Sequence, residues 1–299
     1  MTARTHSPID VSHGAQPAGA GTIGFATALH AQFLLLQRCG RTLILVGAAA
    51  IAIILTIGAE WWFSRIAATQ HLFAAPIEHD GFALLSLHPW IVMTAAVWGI
   101  AVWWQESPMR REHVLAAPAD LTLQELARIA AGGLWLLAML ALTTAAALLV
   151  QLAGGRGDAL GTVAPAAWAV LFSGPLLAYT LAATVATATR RSIVSAIIGI
   201  VVMMGLFAFT LQIAIRNAIR DGDPADAFGV LRYSLFNALG GLVSTTTTHT
   251  SQVSDSQTTA ISTVVHGASM MPHWIEASLL WWTIALVALA FVLWRRRRA

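Results

Sequence analysis

Six apolar stretches divide the chain, at residues 42–59, 84–104, 126–152, 164–189, 193–215 and 277–294. No Asp, Glu or Arg lies deep inside any of them; Glu125, Arg128, Arg190 and Arg191 fall at their ends. About 20 helical residues cross a bilayer's hydrocarbon core. There, each backbone N–H and C=O must pair within its own segment, as an α-helix allows. The pattern predicts an all-α integral membrane protein with six transmembrane helices. Little more than Arg190-Arg191-Ser192 parts the fourth and fifth stretches, which predicts a tight helical hairpin.

The segments between these runs differ in character. Residues 1–22 are polar, small and Gly/Pro-bearing, without the apolar core of a signal peptide, and predict a disordered cytoplasmic tail ahead of a single six-helix transmembrane domain at 23–299. Residues 23–37 set Ile23, Phe25, Phe33, Leu34 and Leu35 among His30, Gln32 and Gln37. Such a stretch can lie flat in the cytoplasmic interface as an N-terminal helix; the alternative is an extension of the first span. Residues 216–276 form the largest non-spanning segment. Asp221-Gly222-Asp223-Pro224 breaks the fifth helix there, residues 228–242 are apolar enough for one or two short helices dipping into the outer leaflet, and residues 244–263 are a Ser/Thr-rich loop.

Arginine placement sets the orientation. With both termini in the cytoplasm, Arg38, Arg41, Arg110, Arg111, Arg128, Arg190, Arg191 and Arg295 to Arg298 all lie inside, as the positive-inside rule requires. Only Arg65, Arg156, Arg216, Arg220 and Arg232 fall outside, among Glu60, Glu78, Asp80, Asp158, Asp221, Asp223, Asp226, Asp255 and Glu276. Trp61, Trp62, Trp103, Trp104, Trp274 and Trp294 near the span ends fit an aromatic belt.

Composition agrees, with 57% apolar and 10% charged residues, against about 25% charged in soluble domains. The chain has no lysine; all 17 basic residues are arginine. That excludes a Walker A loop and Schiff-base chemistry in this chain. The basic pI reflects arginines at membrane boundaries, so nucleic acid is not an expected partner. Cys39 is the single cysteine, which excludes an intrachain disulfide and a Cys-based metal site.

Candidate chemistry inside the spans is mild. Ten histidines invite a metal or haem, yet only His88 touches a span, so no metal site is expected. Asp221, Asp223 and Asp226 lack the Glu that a calcium loop needs at its twelfth position, where Arg232 stands. Buried ionisable groups of the kind that move protons are absent from the spans. Thr143, Thr144, Ser173, Tyr179, Thr180, Thr184, Thr210 and Gln212 remain, either as interhelical hydrogen-bonding groups or as the lining of a path for an amphiphilic or apolar substrate. Gly174-Pro175 predicts a kink in the fourth span, and Gly132-Gly133 permits close helix contact.

The loop at 105–125 holds more. Ser107-Pro108 opens a short helix that ends before Pro118, and Thr122-Leu-Gln-Glu125 is a capping box for a second helix that carries Arg128 into the third span. This loop resembles the first cytoplasmic loop of the type-2 ABC transporter permeases, through Glu106, Arg111, Glu112, Leu115, Pro118, Leu123 and Arg128. The layout of interfacial helix, six spans, large outer segment and basic C-terminus is similar to that family over nearly the whole chain; the residue pattern covers only the loop.

The resemblance implies the membrane subunit of an ABC exporter in a bacterial cytoplasmic (inner) membrane. It implies pairing with a second permease copy, as homodimer or heterodimer, and docking of a separate cytoplasmic ATPase that holds ATP and Mg, with no cofactor and no catalysis in this chain. Glu106, Pro108, Arg110, Arg111, Glu112, Pro118 and Arg128 would then form the ATPase-coupling loop. Two other readings stand beside it. One is a structural or accessory subunit of a larger membrane complex without transport activity. The other is a membrane-embedded lipid enzyme, for which Glu78, His79, Asp80 and His88 are the candidate set.

Overall fold

A computed structural model describes residues 24–37, 40, 42–69, 88–103, 121–153, 165–189, 199, 232–240 and 267–298. Among the described residues the structure is helical, with no strand. The helices are α1 (Phe25–Gln37), α2 (Thr42–Thr69), α3 (His88–Trp103), α4 (Leu121–Ala153), α5 (Pro165–Thr189), α6 (Leu235–Ala238) and α7 (Gly267–Arg298). Three contain windows long and apolar enough to cross a membrane: Thr122–Val150 in α4, Trp168–Thr189 in α5 and His273–Arg298 in α7. Leu45–Leu55 and Trp90–Val102 are shorter apolar helical stretches. The predicted fifth span, 193–215, lies outside the described residues apart from Gly199, as do the tail at 1–22, the loop at 104–120 and the Ser/Thr-rich segment.

The exposed surface is apolar where a bilayer would be. Ile51 and Ile54 of α2, Leu142 and Leu149 of α4, and Leu279 and Val287 of α7 all face outward. In water such a surface would associate; in hydrocarbon it is the expected one.

Three boundaries differ from the sequence expectation, each for a physical reason. α2 runs to Thr69 rather than stopping near 59, because no Gly or Pro follows Gly58 before Thr69 and the charges of Glu60 and Arg65 are compatible with a helix. α7 continues through Arg295 to Arg298, whose positive charges complement the helix's C-terminal dipole. α4 begins at Leu121, so Thr122 lies within the helix rather than capping it. The carboxylate of Glu125 is held by Arg296 and Arg128 instead of returning to a capping residue. The continuity expected from this segment into the third span does hold, since α4 carries Arg128 without a break.

α1 is a helix of its own rather than an extension of α2. The chain turns at Gly40, and Thr42 Oγ1 donates to the Leu36 carbonyl at 2.9 Å across the corner. Phe33 stacks on Trp135 of α4 with centroids 5.1 Å apart, while Phe25, Leu34 and Leu35 face outward.

The centre of the bundle is a close contact between α3 and α5. A Cβ on Gly99 would stand 2.6 Å from the Tyr179 carbonyl oxygen and 3.1 Å from Ala182 Cβ, so only glycine lets these backbones meet. Two hydrogen bonds tie this pair to α4: Trp98 Nε1 donates to the Gly132 carbonyl at 3.0 Å, and the Tyr179 hydroxyl donates to the Ile129 carbonyl at 2.7 Å. Gly132 leaves room for the Tyr179 hydroxyl. Gly99→Ala should therefore destabilise the protein by about 2 kcal/mol through overpacking. Tyr179→Phe should cost about 1 kcal/mol, the scale of one interhelical bond. Thermal unfolding in detergent checks this order, and equal midpoints for Gly99→Ala and wild type would contradict the contact.

Candidate functional site

Two polar clusters stand at opposite ends of the bundle, with an apolar cavity between helices. The first cluster lies where α4 starts and α5 and α7 finish. Glu125 and Arg128 sit one turn apart on α4 and pair at 3.0 Å, with Arg128 only 4% exposed. Arg296, near the end of α7, donates to the Glu125 carboxylate and also to the main-chain carbonyl of Thr187 in the last turn of α5. One guanidinium thus ties three helix ends together. The planar, multi-donor group of arginine is suited to such a fork. Its second acceptor is one of the terminal carbonyls that an α-helix leaves without an internal partner.

At the other end, α6 docks as a plug on α3, α5 and α7. Ser234 caps it, its hydroxyl accepting from the Asn237 backbone N–H. Asn237 is fully buried and donates through Nδ2 to the Arg232 carbonyl at 2.7 Å. Around this turn converge donors from other helices. His88, 1% exposed at the start of α3, bonds the Leu239 carbonyl from Nε2 at 2.6 Å. Since a carbonyl only accepts, the proton is on Nε2. Trp274 and Trp281 of α7 donate to the carbonyls of Ala238 (3.2 Å) and Tyr233 (3.0 Å). Trp282 donates to Ser173 Oγ at 2.9 Å, which lies 3.3 Å from Ser278 Oγ.

Two glycines make the docking possible. Gly240 has φ +87, a left-handed conformation that favours glycine. A Cβ on Gly174 would stand 2.5 Å from the Leu239 carbonyl oxygen and 3.0 Å from His88 Nε2. Pro175 follows inside the helix; it lacks an N–H, which leaves the backbone one turn earlier short of its usual donor.

Between α2, α3 and α4 lies a cavity of about 380 Å³. Ala48 and Ala49 on α2 leave it open, and Leu136 and Leu140 of α4 form its back. Thr94 and Thr143 carry the hydroxyls of its described lining, and each donates to its own helix, to the Trp90 and Met139 carbonyls at 2.8 Å.

The sequence-predicted residues are distributed unevenly over these features. Of the coupling-loop set, Arg128 belongs to the three-helix clamp; Glu106, Pro108, Arg110, Arg111, Glu112 and Pro118 lie outside the described residues. Of the path residues, Thr143 reaches the cavity, Tyr179 bonds across to α4, and Thr180 and Thr184 donate to the carbonyls four residues back. Thr144 is buried, and Thr210 and Gln212 lie outside the described residues. Of the candidate enzymatic set, His88 is described and holds α6; Glu78, His79 and Asp80 are not described. Among the described residues no group of three His, Cys, Asp or Glu could hold a metal.

Sequence reasoning missed Arg296, Thr187, Trp281 and Trp282 as members of these clusters. It placed Trp274 in an aromatic belt, whereas the side chain is buried and its N–H is engaged with α6. The one signal available was the Trp-Trp pair on α7 beside Ser278, polar-tipped side chains in a run otherwise apolar. No family model, no curated protein and no solved structure matches the chain.

Proposed function

We propose that the chain is the membrane subunit of an ATP-driven exporter, with six spans, both ends in the cytoplasm, and its ATPase on a separate chain. The observation that carries this reading is the clamp at the start of α4. Residue 125 closes the loop that resembles an ATPase-coupling loop, and its carboxylate is tied by Arg296 to the ends of α5 and α7. A push on that loop would reach three helices at once instead of being absorbed by a flexible joint. Buried ion pairs of this kind are weak sources of stability but good at fixing a register. Under the same reading α1 lies in the cytoplasmic interface, and α6 closes the outer side of the bundle.

Purification of the full chain from native membranes tests the proposal. A co-purifying ATPase with Walker motifs is the expected result, and its loss on the exchange Arg111→Glu/Glu112→Arg, with the unfolding midpoint unchanged, would locate the docking site. A stable native assembly containing no ATPase would overturn the proposal in favour of the accessory-subunit reading.

A further inference from the structure

We infer that the cavity between α2, α3 and α4 is a binding site for one acyl chain of a membrane phospholipid. Water is a poor occupant of this space. Water in a cavity needs two or more polar partners, and the described lining is mostly hydrocarbon. Thr94 and Thr143 donate their hydroxyl protons within their own helices and keep only lone pairs to accept with, too little to hold water through a space of this size. An empty space of about 380 Å³ would leave the buried side chains along its back without dispersion partners. Leu45, Ala49 and Leu140 are such side chains.

The shape of the opening then names the occupant. Ile51, at 59% exposure, and Trp90, at 66%, belong to the lining yet stand open on the outside of the bundle. The cavity is therefore continuous with the medium around the helices, and that medium is hydrocarbon. Trp90 is the third residue of α3, at the helix end where an indole meets lipid headgroups and carbonyls. A chain entering there keeps its headgroup at the interface while its methylenes pass along Ala48 and Ala49 toward Leu140. No charged side chain in the described lining selects a headgroup, so selection rests on the width and apolarity of the slot. This inference requires only that the helices lie in a bilayer, and it stands or falls separately from the ATPase proposal.

Photolabelling of the full chain, reconstituted in phosphatidylcholine vesicles doped with a phosphatidylcholine bearing a diazirine on one acyl chain, tests it. Adducts are expected on the stretches 45–55 and 136–143 in excess over the outward face of α7 around Leu279 and Val287. Ala49→Phe, which fills the slot, should lower the cavity adducts roughly tenfold. Ala48→Leu, a smaller filling, should lower them less, and Leu286→Phe on the outer face should leave them unchanged. Ala48→Leu keeps the test decisive should Ala49→Phe fail to fold. Cavity labelling no stronger than on α7, or unaffected by a folded filling variant, would overturn the inference. So would a disulfide between two copies through Ile51→Cys in a Cys39→Ser background, since a second copy would then occupy the mouth.

Discussion

Glu125→Leu should destabilise the protein by about 3 kcal/mol, the scale for removing one partner of a buried ion pair. The carboxylate accepts from Arg296 and pairs with Arg128, so its loss leaves two guanidiniums without their shared counter-charge at a site where Arg128 is almost wholly enclosed. The expected fall in the unfolding midpoint is roughly 6 °C or more. Arg296→Leu should cost comparably, because it removes one of the two cationic partners of the Glu125 carboxylate together with the donor to the Thr187 carbonyl. The double replacement should cost less than the sum, since the two side chains act as a unit. Midpoints within a degree of wild type for both single variants would sink the clamp. If the clamp transmits force as proposed, the double variant also keeps its ATPase partner while ATP hydrolysis no longer drives transport. That result would separate docking from coupling.

Gly174→Val should release α6 from the bundle. Its side chain would occupy the space now taken by the Leu239 carbonyl and the His88 ring, and a branched residue on an interior helix position has few rotamers with which to escape. Roughly 2 kcal/mol of overpacking corresponds to about a thirtyfold shift in a docked-to-undocked equilibrium. A cysteine at Ala238, which is fully buried, reports on this in the Cys39→Ser background. Its reaction with a water-soluble thiol reagent in detergent should accelerate by about that factor. His88→Leu should also accelerate it, by removing the donor to Leu239. Unchanged thiol reactivity in a folded Gly174→Val protein would mean that α6 is not held by this contact.

These two sites were legible in the sequence to different degrees. Glu125 and Arg128 stood out as charges at the threshold of an apolar run, and their three-residue spacing announces a pair on one helix face. Arg296 looked like one of four equivalent terminal arginines; nothing local distinguishes it from Arg295 or Arg297. Its partner in α4 is 171 positions away. His88 could be placed at a helix mouth, but its acceptor is 151 positions away, on a short helix whose apolar character alone could be read. The tryptophans of α7 show the same limit. An indole near a span end is equally consistent with a lipid-facing anchor and with a buried donor, and only the position of α6 decides between them.

What the sequence by itself determined about this protein is the class of solvent it meets and the helices that result. Apolar runs of sufficient length, free of charge, leave the backbone no partners except its own. Gly and Pro mark several of the breaks, and the absence of lysine leaves no Walker A loop within these 299 residues. The tertiary structure alone decided which of four terminal arginines ties three helix ends, which glycines admit a neighbour's carbonyl, and where three alanines of α2 leave an apolar slot. The physical reason is that length and hydropathy are sums over neighbouring residues, whereas a clamp, a plug or a cavity is a coincidence in space between positions far apart in the chain.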